Sequence, residues 1–218
     1  MNYCTFGRRS TYLTLAALAV LGLALSTQPA WSRTSGKVSA KADEKTPGTM
    51  KDDIKHRARE IHWPEGFNPE KADLFSHNEL VIHASCEKIW SHIVDATKWP
   101  EWYPNSKGVH ITGDSSALTH DTLFQWTTFG LPLESKVHEF VPYSRIGWYG
   151  YAPGTTPSTE HSFYHTWFLT PVGNACRVVT DEVGMGPDAA HLRETDESLM
   201  HRGHDLWLAT LKWVSEGR

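Results

Sequence analysis

The sequence has no nucleophile elbow, no glycine-rich phosphate loop and no dinucleotide fingerprint, so nothing in it points to a nucleotide or to a serine nucleophile. Gly184-Met185-Gly186 follows a strand-like run but lacks the third glycine, and it reads as a turn. An excess of basic residues is also absent. Lys and Arg number 21 against 25 Asp and Glu, a formal charge of −4. That balance gives no electrostatic reason to expect nucleic acid or an anionic lipid surface as partner. No internal repeat is present. The longest apolar run, Leu13–Leu25, is well short of the ~20 residues that cross a bilayer as a helix. Cysteine is scarce, with only Cys4, Cys86 and Cys176.

What is there begins with Arg8-Arg9, followed by that apolar run and then by small residues at Ala30 and Ser32. This is the pattern of a cleaved secretory signal over residues 1–32, and it places the mature protein outside the cytoplasm, periplasmic or secreted. Ser10-Thr11-Tyr12-Leu13 fits twin-arginine export poorly, so the ordinary export route is expected. Cleavage removes two positive charges and no negative ones, moving the formal charge from −4 to −6. No stable membrane insertion is expected after cleavage. Residues 33–73 read as a tether and an N-terminal arm. Arg33–Pro47 has no apolar periodicity. Met50, Ile54, Ala58 and Ile61 predict a weak amphipathic helix that ends before Trp63-Pro64. Trp63–Phe75 reads as an irregular hydrophobic strap anchored by Trp63, Phe67 and Phe75.

The domain expected over residues 74–218 is organised around Val81–Asn105. Val81–Ala84 is a short β-branched run, and the Ser85 side chain can cap the first free amides of a helix. Ile89, Trp90, Ile93 and Val94 then share one helical face. Trp99-Pro100 and Trp102-Tyr103-Pro104 break the helix into an aromatic corner, because proline cannot donate its amide and restricts the residue before it.

Short strands follow. Val109–Thr112, Thr122–Thr128, Leu133–Phe140 and Arg145–Tyr151 are separated by turn residues and form a meander. In His161–Thr170 the residues His161, Phe163, His165, Trp167 and Leu169 share a face. If Gly173-Asn174 is a two-residue hairpin loop, His165 lies opposite Glu182 and Trp167 opposite Thr180; a four-residue loop shifts the pairing by two. From Asp188 to Glu216 an apolar stripe through Leu192, Leu199, Gly203, Leu206, Trp207 and Leu211 predicts one long helix capped by Asp188. Gly203 sits in the middle of that stripe, where it leaves room for a ligand or for a bulky strand side chain.

Ile82-x-Ala84, Trp90, Asp95, Trp99-Pro100-x-Trp102 and Pro104 occur in an order that resembles the opening of the START-like (SRPBCC) superfamily, in its polyketide cyclase/dehydrase and lipid-transport branch. Phe124-x-Trp126, Ser135-x-Val137-x-Glu139, Pro142, Arg145-Ile146-x-Trp148 and His165-x-Trp167 extend the resemblance across residues 79–184. The resemblance implies an α+β helix-grip fold, a curved antiparallel sheet around a long C-terminal helix with a ligand between them. It also implies pocket walls at Phe124, Trp126, Trp148, His165 and Trp167. Trp90, Trp102, Phe163, Gly203 and Trp207 are further candidates for contact with ligand. In that fold the first and last strands are neighbours. This would bring Cys86 to Cys176 as a disulfide in an exported protein; the alternative is two buried thiols.

Ten tryptophans are a heavy aromatic load, and each large ring buries ~150–250 Å². Rings on successive strands favour a small hydrophobic ligand (a lipid, an isoprenoid or a polyketide-like compound) in a sheet–helix cavity. The alternative is that the rings simply fill the core. His165 and Glu182 are the candidate catalytic pair, since burial and a facing charge both move pKa values toward use. They define a second functional reading, a cyclase, dehydratase or hydrolase with His165 moving the proton and Glu182 setting its tautomer. No cofactor and no metal are expected. His161 and His165 fall about 13 Å apart at ~3.3 Å per residue, and His201-x-x-His204 shows no third ligand and reads as solvated.

Overall fold

The computed structural model describes residues 48–217. The expected signal and the tether up to residue 47 lie outside the described residues. Seven antiparallel strands form one curved sheet: β1 Leu74–Ile82, β2 Ser106–Ile111, β3 Leu123–Thr128, β4 Leu131–Val141, β5 Arg145–Tyr151, β6 Phe163–Val172 and β7 Ala175–Gly184. Their order is β1-β7-β6-β5-β4-β3-β2, so the first strand closes against the last. The helices are α1 Met50–His56, α2 Cys86–Val94, α3 Trp99–Trp102, α4 Pro187–Asp196 and α5 Leu199–Glu216. This is the helix-grip architecture, α+β.

The inner face of the sheet holds the main core. Ser85 accepts the amide of Lys88 at 3.2 Å and starts α2, whose Ile89, Trp90 and Ile93 are buried. Trp99 donates its indole N–H to the Ile93 carbonyl at 3.0 Å and folds the broken corner back onto α2. The Trp99 ring meets Phe124, Trp126, Trp148 and Trp207 at 5.2–5.9 Å between centroids. Helix α5 lays Trp207, Leu208 and Leu211 against these rings. Cys86, at the start of α2, is disulfide-bonded to Cys176 on β7, with Cα atoms 5.2 Å apart.

On the outer face the arm is a strap. Phe67 and Trp63 pack on Tyr164, Tyr149 and Phe75. Ala58 and Ile61 cover Val179. His77 pairs with the fully buried Asp181 at 2.6 Å under the same cover.

Several boundaries differ from the sequence expectation. The opening strand starts at Leu74 rather than Val81. The polar Ser76, His77, Asn78 and Glu79 hide its alternation, and the first three are buried by partners elsewhere in the chain. Helix α1 stops at His56, five residues before Ile61. Arg57 turns extended and donates to the Ile54 carbonyl and to Glu70, which lets Ala58 and Ile61 drop onto the sheet. The expected long helix is two helices. It breaks at Glu197-Ser198, where Glu197 accepts the Met50 amide at 3.2 Å and Ser198 donates to the Gly48 carbonyl at 3.3 Å. Pro187 rather than Asp188 stands at the start of α4, with Gly186 as its cap.

Candidate functional site

Strands β6 and β7 pair with His165 opposite Glu182 and Trp167 opposite Thr180, the register of a two-residue Gly173-Asn174 loop. Both His165 and Glu182 therefore face α5. Helix α5 supplies His204, buried on the same stripe as Met200, Trp207 and Leu211. Glu182 Oε2 lies 2.9 Å from His204 Nε2 and 3.3 Å from His165 Nδ1. The far nitrogen of each ring is also held. His165 Nε2 is 3.1 Å from Thr180 Oγ1, and His204 Nδ1 is 2.7 Å from Ser76 Oγ. Trp148 stacks on His165 with centroids 4.6 Å apart. The two rings are thus clamped in orientation by four side chains from β1, β5 and β7.

Burial would raise the Glu182 carboxyl, but the hydrogen bonds and charges of His165 and His204 outweigh it and hold the group well below the usual carboxylate range. Burial keeps the His165 imidazole below its ordinary 6.5 despite Glu182. At neutral pH the site is an ionised carboxylate beside a neutral His165. Its partners among the described residues are imidazoles, and no lysine or arginine pairs with it.

Two small cavities meet at this carboxylate. The inner one, about 30 Å³, touches the trio together with Tyr103, Trp126, Trp148 and Trp207. The outer one, about 80 Å³, is apolar, with Leu74, Leu131, Phe163, Leu192 and Met200 in its wall. Thr128, Phe129, Leu133 and Glu182 line both. A surface groove of about 380 Å³ between β4, β5 and α4 shares Leu131, Leu133, Phe163 and Leu192 with the outer cavity. Through these shared walls the three spaces adjoin one another from the surface to Glu182.

Of the residues singled out in the sequence, His165, Glu182, Trp126, Trp148 and Trp207 line the inner cavity, and Phe163 lines the outer. Trp90, Trp102, Phe124 and Trp167 line neither cavity and belong to the packed core. The aromatic load is thus mostly interior filling. A wide tunnel is replaced by a narrow space, because the rings of Trp99, Trp126, Trp148, Trp167 and Trp207 lie in mutual contact. Gly203 faces a bulky side chain: a Cβ there would come 2.1 Å from Phe129 Cζ. A bulge between Val137 and Glu139 turns Glu139 away from the cavity, where it pairs with Arg145 at 2.8 Å.

The reading of His204 as solvated and short of further ligands is corrected. His204 is buried, its partners are Glu182 and Ser76, and His201 instead pairs with Asp53. His165, Glu182 and His204 offer ligand atoms within 4.8 Å of one another. The signal for His204 was its place in the stripe Met200, His204, Trp207 and Leu211, at spacings of four and three. Ser76, Thr128 and Phe129 gave none.

The family model for polyketide cyclase/dehydrase and lipid transport matches residues 77–212. The chain belongs to this family. The polyketide cyclase/dehydrase and lipid-transport match takes in the whole His165–Glu182–His204 trio and leaves out the arm. The hypothetical protein jhp0584 of Helicobacter pylori is 30% identical, with a TM-score of 0.65 over 73% of this chain and 98% of its own. A START superfamily protein from Mycobacterium smegmatis (14% identity, TM-score 0.52, 65% and 97% of the two chains) shares the fold. So does the di-domain ARO/CYC StfQ from the steffimycin biosynthetic pathway (15%, 0.52, 66% and 52%). No curated protein matches by sequence. No described helix is long and apolar enough to cross a membrane.

Proposed function

We propose that this protein is exported and binds one small, largely apolar molecule carrying a polar end. The body of the ligand lies between the β3–β4 hairpin and helices α4 and α5, and its polar end meets Glu182. One observation carries this reading: an apolar-walled space that leads from the surface and ends on a single ionised carboxylate. The inner and outer cavities are smaller than the ~300 Å³ at which ligand pockets begin, so the ligand enters by displacing Phe129. That ring is suited to move, being 39% exposed at a hairpin tip.

Binding is favoured over turnover by the hydrogen bonds of His165. Both of its ring nitrogens are engaged, by Glu182 and Thr180, so the ring presents no free atom to a substrate. The signal pattern of residues 1–32 and the Cys86–Cys176 bridge support export.

The test is uptake of an apolar fluorescent probe, with Trp148 and Trp207 reporting from the cavity wall, together with native mass spectrometry of protein from its own host. Retained compound, and probe uptake that rises in Phe129→Ala, are expected. No retained compound and no uptake by either protein overturns the reading. Export is checked by fractionation and by N-terminal sequencing of the mature chain, which should begin after residue 32.

A further inference from the structure

We infer that His165 Nδ1, His204 Nε2 and Glu182 Oε2 form a three-ligand site for a divalent transition-metal ion, with its fourth position open to the inner cavity. The inference does not depend on the apolar ligand.

Three observations carry it. The first is the donor set and its spacing. Two imidazole nitrogens and one carboxylate oxygen are a recurrent set for catalytic zinc and for non-haem iron(II). Around a tetrahedral ion with bonds of ~2.0–2.1 Å, ligand atoms stand about 3.3 Å apart. Here the carboxylate oxygen is 3.3 Å from one nitrogen and 2.9 Å from the other, and all three atoms fall within 4.8 Å. The two nitrogens are the wide pair, so rotation of the imidazoles toward each other is what brings all three atoms to this spacing.

The second observation is the support behind the ligands. Thr180 and Ser76 hydroxyls lie 3.1 and 2.7 Å from the far nitrogens. Without an ion the near N–H groups donate to Glu182. In the metal-bound form each ring takes the other tautomer, its far N–H donating to the hydroxyl and its near lone pair facing the ion. Outer partners of this kind fix the tautomer and aim the ring in metal sites. Each ligand sits on a regular element, β6, β7 or α5, and His165 and His204 are 4% and 3% exposed. Rigid elements hold such a constellation better than loops.

The third is the open side. The cavity of about 30 Å³ is bounded by all three ligand residues and holds about one water. Glu182 keeps 17% of its side-chain surface accessible, and it lines both cavities. Three protein ligands and one position for water or a ligand oxygen is the arrangement of catalytic zinc, whereas structural zinc is closed by four.

The test uses the purified mature protein, residues 33–218, stripped with a chelator and titrated calorimetrically with Zn²⁺, with no apolar compound present. Co²⁺ is added in parallel, because its visible absorption reports a four-coordinate site. One ion per chain is expected. Glu182→Gln and His204→Ala should each weaken binding ~100-fold or more, and Ser76→Ala about 10–100-fold, as loss of an outer partner does. His201→Ala, which changes the neighbouring helix histidine, should leave affinity and stoichiometry as they were. Near-UV circular dichroism and melting of Glu182→Gln separate lost ligation from lost fold. Absence of one-to-one uptake by the parent protein overturns the inference, as does equal affinity in a folded Glu182→Gln. Probe uptake measured with chelator present tests the ligand reading separately, so either can fail alone.

Discussion

The ring of Phe129, at the tip of the β3–β4 hairpin, lies on Gly203 of α5 so closely that a Cβ there would come 2.1 Å from Cζ. Phe129 has a φ of +51° and Gly130 one of +80°, a backbone that suits glycine or asparagine better than phenylalanine. The hairpin therefore keeps a strained residue in order to hold a ring over the cavity.

Gly203→Ala is expected to push that ring aside. The alanine gains ~1 kcal/mol of helix propensity, and overpacking costs ~1–3 kcal/mol, so a modest net loss in denaturant unfolding is expected. Apolar probe uptake should rise at the same time. Phe129→Asn, which removes the ring and suits the positive φ, should raise uptake with no loss of stability from backbone strain. Unaltered uptake in both variants would show that Phe129 does not control entry.

Reduction of the Cys86–Cys176 bridge, or its replacement by two serines, should lower stability by about 2–5 kcal/mol, since it frees a long loop in the unfolded chain. The bridge spans a sequence separation of 90. Urea unfolding with and without reductant measures the difference, and coincident curves would contradict it.

His77 gives a pH dependence. Burial lowers its pKa, but the hydrogen bond and charge of Asp181 more than offset this and raise the group above its ordinary 6.5. A group raised on folding contributes fully below its unfolded value, and the contribution fades as pH rises through the folded value. Stability should therefore decline as pH climbs above about 6.5, and His77→Gln should flatten that decline. Melting temperatures across the window check both.

The strap is predicted to be structural. Phe67 is 4% exposed and packs on Tyr149 and Tyr164. Phe67→Ala should cost ~3–5 kcal/mol, whereas Glu65→Ala, at an exposed neighbouring position, should cost little. Equal melting temperatures for Phe67→Ala and the parent would show that the strap does not hold the domain.

Legibility in the sequence followed the range of the interactions. The β6–β7 register could be read because Gly173-Asn174 leaves few ways to turn, and one turn fixes every pair above it. The start of β1 could not. Its Ser76, His77 and Asn78 look like loop residues until α5 and Asp181 are in place to receive them. The break between α4 and α5 has no proline or glycine to announce it; it is held by contacts to Gly48 and Met50, about 150 residues earlier. At the site, the same hairpin register showed His165 and Glu182 together. His204 and Phe129 come from elements whose docking angle no local pattern encodes.

The bridge between α2 and β7 makes everything from Cys86 to Cys176 a covalent ring that contains five of the seven strands. A protease that cuts the exposed loop around Asp114 opens this ring without releasing a fragment. The nicked protein would run as one band without reductant and as two with it, so its contour can be broken once while every strand stays tethered.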